Sequence, residues 1–128
     1  MDDGQWLTWS NKCFTQSFNP DGEQKLKKWE FNLTDQAFIR LRKTYTNGKQ
    51  EYYSFQLRRF KDIDYLGTTT NGTLQLRTIA DDIIVQTYDD PKGNVDSMAT
   101  TLTIKVKNMD AERLDSLHNA LIYFKGKK

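Results

Sequence analysis

The sequence predicts a mainly β fold: a seven-stranded antiparallel, bent sheet or partly open barrel, capped by one C-terminal α-helix. Three observations predict it. Along most of the chain apolar residues alternate with polar ones at period two, the pattern of strands with one face in a core and one in water. Short stretches rich in Asn, Gly, Asp and Pro separate these runs, and short connections imply antiparallel neighbours and exclude a βαβ rhythm. Only the final segment, MDAERLDSLHNALIYFKGKK, changes to a helical period.

From the N-terminus, MDDGQW is polar and holds no signal peptide. QWLTWSNKCF is read as a strand; Trp6, Trp9 and Cys13 also fit a helical spacing, but the Thr and aromatic content favours extended backbone. The turn cluster SFNPDGEQ (17–24) separates an N-terminal extension of about 1–24 from a core of about 25–125, the whole of 1–128 forming one domain. KLKKWEFNL places Trp29, Phe31 and Leu33 on one face and Lys28, Glu30 and Asn32 on the other. AFIRLRKTY turns Ala37, Ile39 and Leu41 inward and Arg40 and Arg42 outward. Asn47-Gly48 is the favoured pair for a type I′ hairpin, in which both positions take positive φ. EYYSFQLRRF groups Tyr53, Phe55 and Leu57 and leaves Tyr52 facing out. A second Asn-Gly, Asn71-Gly72, precedes Leu74 and Leu76. DDIIVQTYDD is centred on Ile83, Ile84 and Val85, and SMATTLTIKV puts Met98, Thr100, Leu102, Ile104 and Val106 on one face. Counted this way there are seven or eight strands.

In the terminal helix, Asn108 or Asp110 caps the start, and Leu114, Leu117, Leu121 and Phe124 form one stripe, widened by Ile122 and Tyr123. Gly126 is the stop, and Lys125, Lys127 and Lys128 sit at the negative end of the helix dipole. So short a helix is marginal alone in water, so the stripe must dock on the open face or mouth of the sheet.

Composition sets outer limits. A hydrophobic fraction of 37% with 12% aromatics excludes disorder, and no apolar run approaches the roughly 20 residues that span a bilayer. Net charge is +2, too mild to argue for nucleic acid. Residues 1–60 carry ten Lys/Arg against seven Asp/Glu, whereas 61–124 carry six against ten. Cys13 is the one cysteine, so no intrachain disulfide forms and it reads as a small buried hydrophobe. A catalytic thiol would need a base, and the single histidine, His118, lies on the terminal helix without a second His to make a metal site. DDPKGNVDS lacks the alternating-oxygen spacing of a calcium loop and reads as a turn.

The stretch from about Lys25 to Phe124 resembles the pleckstrin-homology-like barrel superfold. TLTIKVKNMDAERLDSLHNALIYF is similar to its last strand and C-terminal helix, and YYSFQLRRFKDIDYL with GTLQLRTIADDIIVQT is similar to the middle strands of small bacterial members of uncharacterised function, many of them exported. The resemblance implies a binding module, since members bind phosphoinositides, peptides or partner proteins and some are only scaffolds; the chain is expected to be a monomer. In lipid-binding members a Lys near the end of the first strand and a Lys/Arg-x-Arg on the second hold phosphates; here Lys28 and Arg40-Leu41-Arg42 stand in that order. The short TDQ connection leaves little loop to cradle a headgroup, and outward alternation of Arg40 and Arg42 is also what a solvated face looks like.

The expectation is therefore a non-enzymatic interaction module for a protein or peptide, with Lys28, Arg40, Arg42 and Tyr52 as candidate ligand-binding residues. A small-ligand, lipocalin-like barrel is the alternative, and anionic-lipid or phosphate binding through the basic strand face is a second one. No cofactor, metal, nucleic acid or transmembrane segment is expected. Localisation stays open between a cytoplasmic protein and one exported with its leader removed.

Overall fold

Period-two patterning does become antiparallel sheet. The structure, a computed structural model, describes residues 2–22 and 25–126. Its strands are β1 (Leu26–Leu33), β2 (Phe38–Tyr45), β3 (Gln50–Gln56), β4 (Phe60–Gly67), β5 (Asn71–Thr78), β6 (Ile83–Tyr88), β7 (Asp96–Ala99) and β8 (Thr101–Lys107). Two helices flank them, α1 (Asp3–Ser17) and α2 (Ala111–Lys125). The fold is mainly β with a C-terminal helix, as the sequence predicts, but the strands form two antiparallel sheets that do not close into a barrel. The larger sheet has the order β1-β2-β3-β6-β7 and the smaller β4-β5-β8.

Two stretches expected to be single strands are each split between the sheets. EYYSFQLRRF breaks at a 3-10 turn, Leu57–Arg59, so β3 lies in the large sheet and β4 in the small one. SMATTLTIKV breaks at Thr100, and the break reverses which parity faces the core. Leu102, Ile104 and Val106 are buried in β8, whereas in β7 Ala99 packs inward and Met98 is 50% exposed. A strand that switches sheets needs such a bend. The expected common face of Met98 to Val106 is corrected accordingly.

The N-terminal stretch read as a strand is α1. The Asp2 carboxylate accepts the Gln5 N–H and the Gln5 side chain accepts the Asp2 N–H, a reciprocal cap that satisfies two end groups. Its inner face is Ser10, Cys13, Phe14 and Ser17, and Phe14 stacks on Phe31 of β1. This helix also covers sheet edges: the Asn11 amide bonds both the N–H and the C=O of Leu33, while Phe18 bridges to Val106 and the Asn19 N–H donates to the Lys105 carbonyl. Pro20–Gly22 forms a 3-10 turn; Glu23 and Gln24 of the expected turn cluster lie outside the described residues.

In α2 the Asp110 carboxylate caps the Arg113 N–H at 2.7 Å, and Leu117, Ala120, Leu121 and Phe124 are buried. Ile122 does not widen the stripe; it is 46% exposed. The helix docks on the Leu57–Arg59 turn, the start of β4 and α1, and not on the sheet mouth alone. Arg113 donates to the Ser17 hydroxyl and the Gln16 side-chain oxygen, and Trp6 packs on Tyr123, whose hydroxyl donates to Asp3. Gly126 is the C-cap, with φ of −80° in the ordinary helical region; Lys127 and Lys128 lie outside the described residues. One hydrophobic cluster runs from Cys13 through both sheets to Phe124.

The Asn-Gly turns also differ from expectation. At Asn47-Gly48 only Gly48 has positive φ (91°); the Tyr45 N–H bonds the Lys49 carbonyl and the Gly48 N–H the Tyr45 carbonyl, a three-residue loop with Gly in the left-handed position. Asn71 and Gly72 already belong to β5. Gly72 has no room for a side chain because the Tyr65 ring and hydroxyl lie where a Cβ would stand.

Candidate functional site

Residues opposite one another across antiparallel strands share a face, so the register of the large sheet arranges its outward side chains in rows. One row, across all five strands, is Asn32–Arg40–Ser54–Ile84–Met98. The next is Glu30–Arg42–Tyr52–Gln86–Asp96, and the third runs Lys28–Thr44–Gln50–Tyr88. The opposite face of the same strands carries Phe31, Leu33, Ile39, Leu41, Phe55 and Ile83 into the core. Burial of that set fixes the register, since a one-residue slip would turn the apolar side to water.

Three of the four sequence candidates meet in one shallow groove of about 220 Å³, lined by Glu30, Asn32, Arg40, Arg42 and Tyr52. Lys28 joins Arg42 in an adjoining groove of about 190 Å³ with Glu30, Thr44 and Gln50. Arg40 and Arg42 are exposed. The Arg42 guanidinium lies over the Tyr52 ring at 5.3 Å, and that of Arg40 over Phe38 at 5.8 Å. Ring contacts of this kind hold a guanidinium in place and leave its donors free. Among the described residues neither arginine forms an ion pair, and Glu30, opposite Arg42, does not close on it. At the base of the groove the Asn32 Oδ1 is buried and has no hydrogen-bond partner among the described residues.

A larger open groove, about 510 Å³, begins at Phe38, the ring under the Arg40 guanidinium. Phe38, Ser54, Gln56, Ile84 and Arg58 line it, and the Arg59–Asp82 pair (2.8 Å) closes one end. Burial works against ionisation of Asp82, but the Ala80 N–H and Arg59 outweigh it and hold its carboxyl below the usual range. Sequence reasoning missed the apolar part of this surface. The outward position of Ile84 was hidden in the run Ile83–Val85, and that of Met98 by the parity reversal at Thr100.

Elsewhere the inner face of the large sheet turns polar at its far end. Lys43 is 5% exposed, and Glu51 accepts from the Tyr45 and Tyr53 hydroxyls and pairs with Lys49. Cys13 is buried, and burial pushes its thiol pKa up, the behaviour of an inert core cysteine. His118 is exposed, edge-on to Phe60. Among the described residues no cluster of metal-ligating side chains occurs and no helix is long and apolar enough to cross a membrane. No family model, curated protein or solved structure matches the chain.

Proposed function

We propose that this protein is a non-enzymatic binding module that takes an acidic segment of a partner protein on the outward face of the large sheet. One observation carries the reading: Arg40 and Arg42, two residues apart on β2, are braced on aromatic rings and have no counter-ion among the described residues. Guanidiniums fixed this way present their forks to carboxylates with little ordering left to do. Asn32, Tyr52 and Gln50 supply neutral donors and acceptors beside them. The pleckstrin-homology-like relationship belongs to the same proposal. Its support is the terminal helix following directly on the last strand; the departures are α1 and the five-plus-three division of strands.

Phosphate-bearing lipid is the second reading, favoured by Lys28 standing beside Arg42. The test separates the two. The Arg40→Ala/Arg42→Ala protein and the unsubstituted one are titrated with a fluorescent poly-glutamate peptide and sedimented with vesicles containing phosphatidylserine. Arginine-dependent peptide binding supports the module; sedimentation without peptide binding moves the reading to lipid; neither rejects both.

A further inference from the structure

The row Asn32–Arg40–Ser54–Ile84–Met98 changes character along its length. Its first half is polar and cationic, its second half apolar. Ser54 in the middle is buried, a low point between the Arg40 stem and the Ile84 side chain. Ile84 and Met98 are direct cross-strand partners on the outward face, 36% and 50% exposed. The 510 Å³ groove runs along one side of this row, with Ser54 and Ile84 of the row and Phe38 beside them in its lining.

Building on the proposed module, we infer that its partner segment is an extended peptide combining an acidic residue with a large apolar residue four positions away. The acidic side chain meets Arg40 and Arg42, and the apolar one covers Ile84 and Met98. Spacing supports the match. Arg40 and Met98 are three strands apart, about 14 Å, and positions i and i+4 of an extended chain share one side and lie about 13 Å apart. Position i+2 then falls near Ser54, the low point of the row, where the open groove leaves it room. Charge agrees too: the cationic half fixes the acidic end, and Asp96 beside Met98 repels a second acid placed at the apolar end. A purely acidic ligand would leave Ile84 and Met98 in water; a purely apolar one would leave both guanidiniums uncompensated.

A displayed library of random decapeptides tests this, followed by anisotropy titration of enriched peptides. The expected enrichment is Asp or Glu four residues from Leu, Ile, Met or Phe. Replacing the apolar residue of an enriched peptide by Ser, or making Ile84→Ser/Met98→Ser in the protein, weakens binding about tenfold; Met98→Leu retains it. Both protein positions are exposed, so the fold is not at stake. Enriched peptides that are acidic without the apolar residue, and indifferent to Ile84→Ser/Met98→Ser, would overturn this inference and leave the module standing. No enrichment over an Arg40→Glu/Arg42→Glu control overturns both. Arginine-dependent binding of a dT oligonucleotide in preference to every peptide overturns the peptide assignment in favour of single-stranded nucleic acid.

Discussion

The outward faces of the two sheets treat the same residue type in opposite ways. On the small sheet Arg77 of β5 is closed off: its two terminal nitrogens donate to Asp62 at 2.8 Å and Asp64 at 3.1 Å, with Gln75 alongside. Those contacts raise its pKa, Asp62 first and Asp64 second. On the large sheet Arg40 and Arg42 are braced by rings and meet no carboxylate among the described residues. A neutralised surface arginine belongs to the fold, and its exposed ion pairs, screened by solvent, add little to stability. A braced, uncompensated one is an unfinished interaction. The presence of arginine on a strand therefore says little; its counter-ions decide what it is for.

The contrast depends on one core that holds both faces, and the largest expected effect is loss of that core. Leu117 is fully buried in α2 against the turn that joins the sheets. Leu117→Asp buries an unpaired carboxylate and costs several kcal/mol, roughly 3–5; chemical denaturation should find the protein unfolded or nearly so. Unchanged stability would mean that α2 does not hold the sheets together. Next in size, Arg42→Ala should lower affinity for an acidic peptide about tenfold or more while leaving the melting temperature near that of the parent, since a charge-assisted hydrogen bond is worth about 1.5–3 kcal/mol. Arg77→Ala should do the reverse, with peptide affinity unmoved and stability lowered slightly. If Arg77→Ala weakened binding as much as Arg42→Ala, the distinction between the faces would fail.

A gain of function sharpens the same point. Asp62→Asn/Asp64→Asn releases Arg77, and a second, weaker peptide-binding event should appear on the small sheet in calorimetry, absent from the parent protein. The smallest effect is a pH dependence. The Asp90 carboxyl is held below its usual range, first by the Lys92 N–H and also by Lys49 and Thr87, and Asp82 is likewise depressed. Carboxylates with depressed folded-state pKa stabilise above the unfolded value of roughly 4 and lose that contribution as pH falls through the folded one. Asp90→Asn should therefore reduce the melting temperature modestly at pH 7, with the difference shrinking below about pH 4 and vanishing at lower pH.

Much of this was legible in the residues. The alternation of Trp29, Phe31 and Leu33 with Lys28, Glu30 and Asn32, and of Ile39 and Leu41 with Arg40 and Arg42, gives the two faces of β1 and β2 and puts the candidate arginines outside. The stripe Leu117–Leu121–Phe124 gives α2. Helix α1 was harder because two of its four buried positions are serines, so its apolar period is faint; Asp2 followed three residues later by Gln5 was the available signal. Lys43 continues the inward parity of Ile39 and Leu41, yet its polarity gave no hint of burial.

Local chemistry, written residue by residue, determined which stretches extend, which coil, and which side of each strand seeks water. Only the tertiary structure decided how those strands group into sheets, where the chain bends from one sheet to the other at Leu57–Arg59 and Thr100, and which charges find partners. The physical reason is range. Alternation and capping act within a few residues of the chain, whereas the counter-ions of Arg77, the absence of any for Arg40 and Arg42 among the described residues, and the outward turn of Met98 depend on residues brought together from distant parts of the sequence.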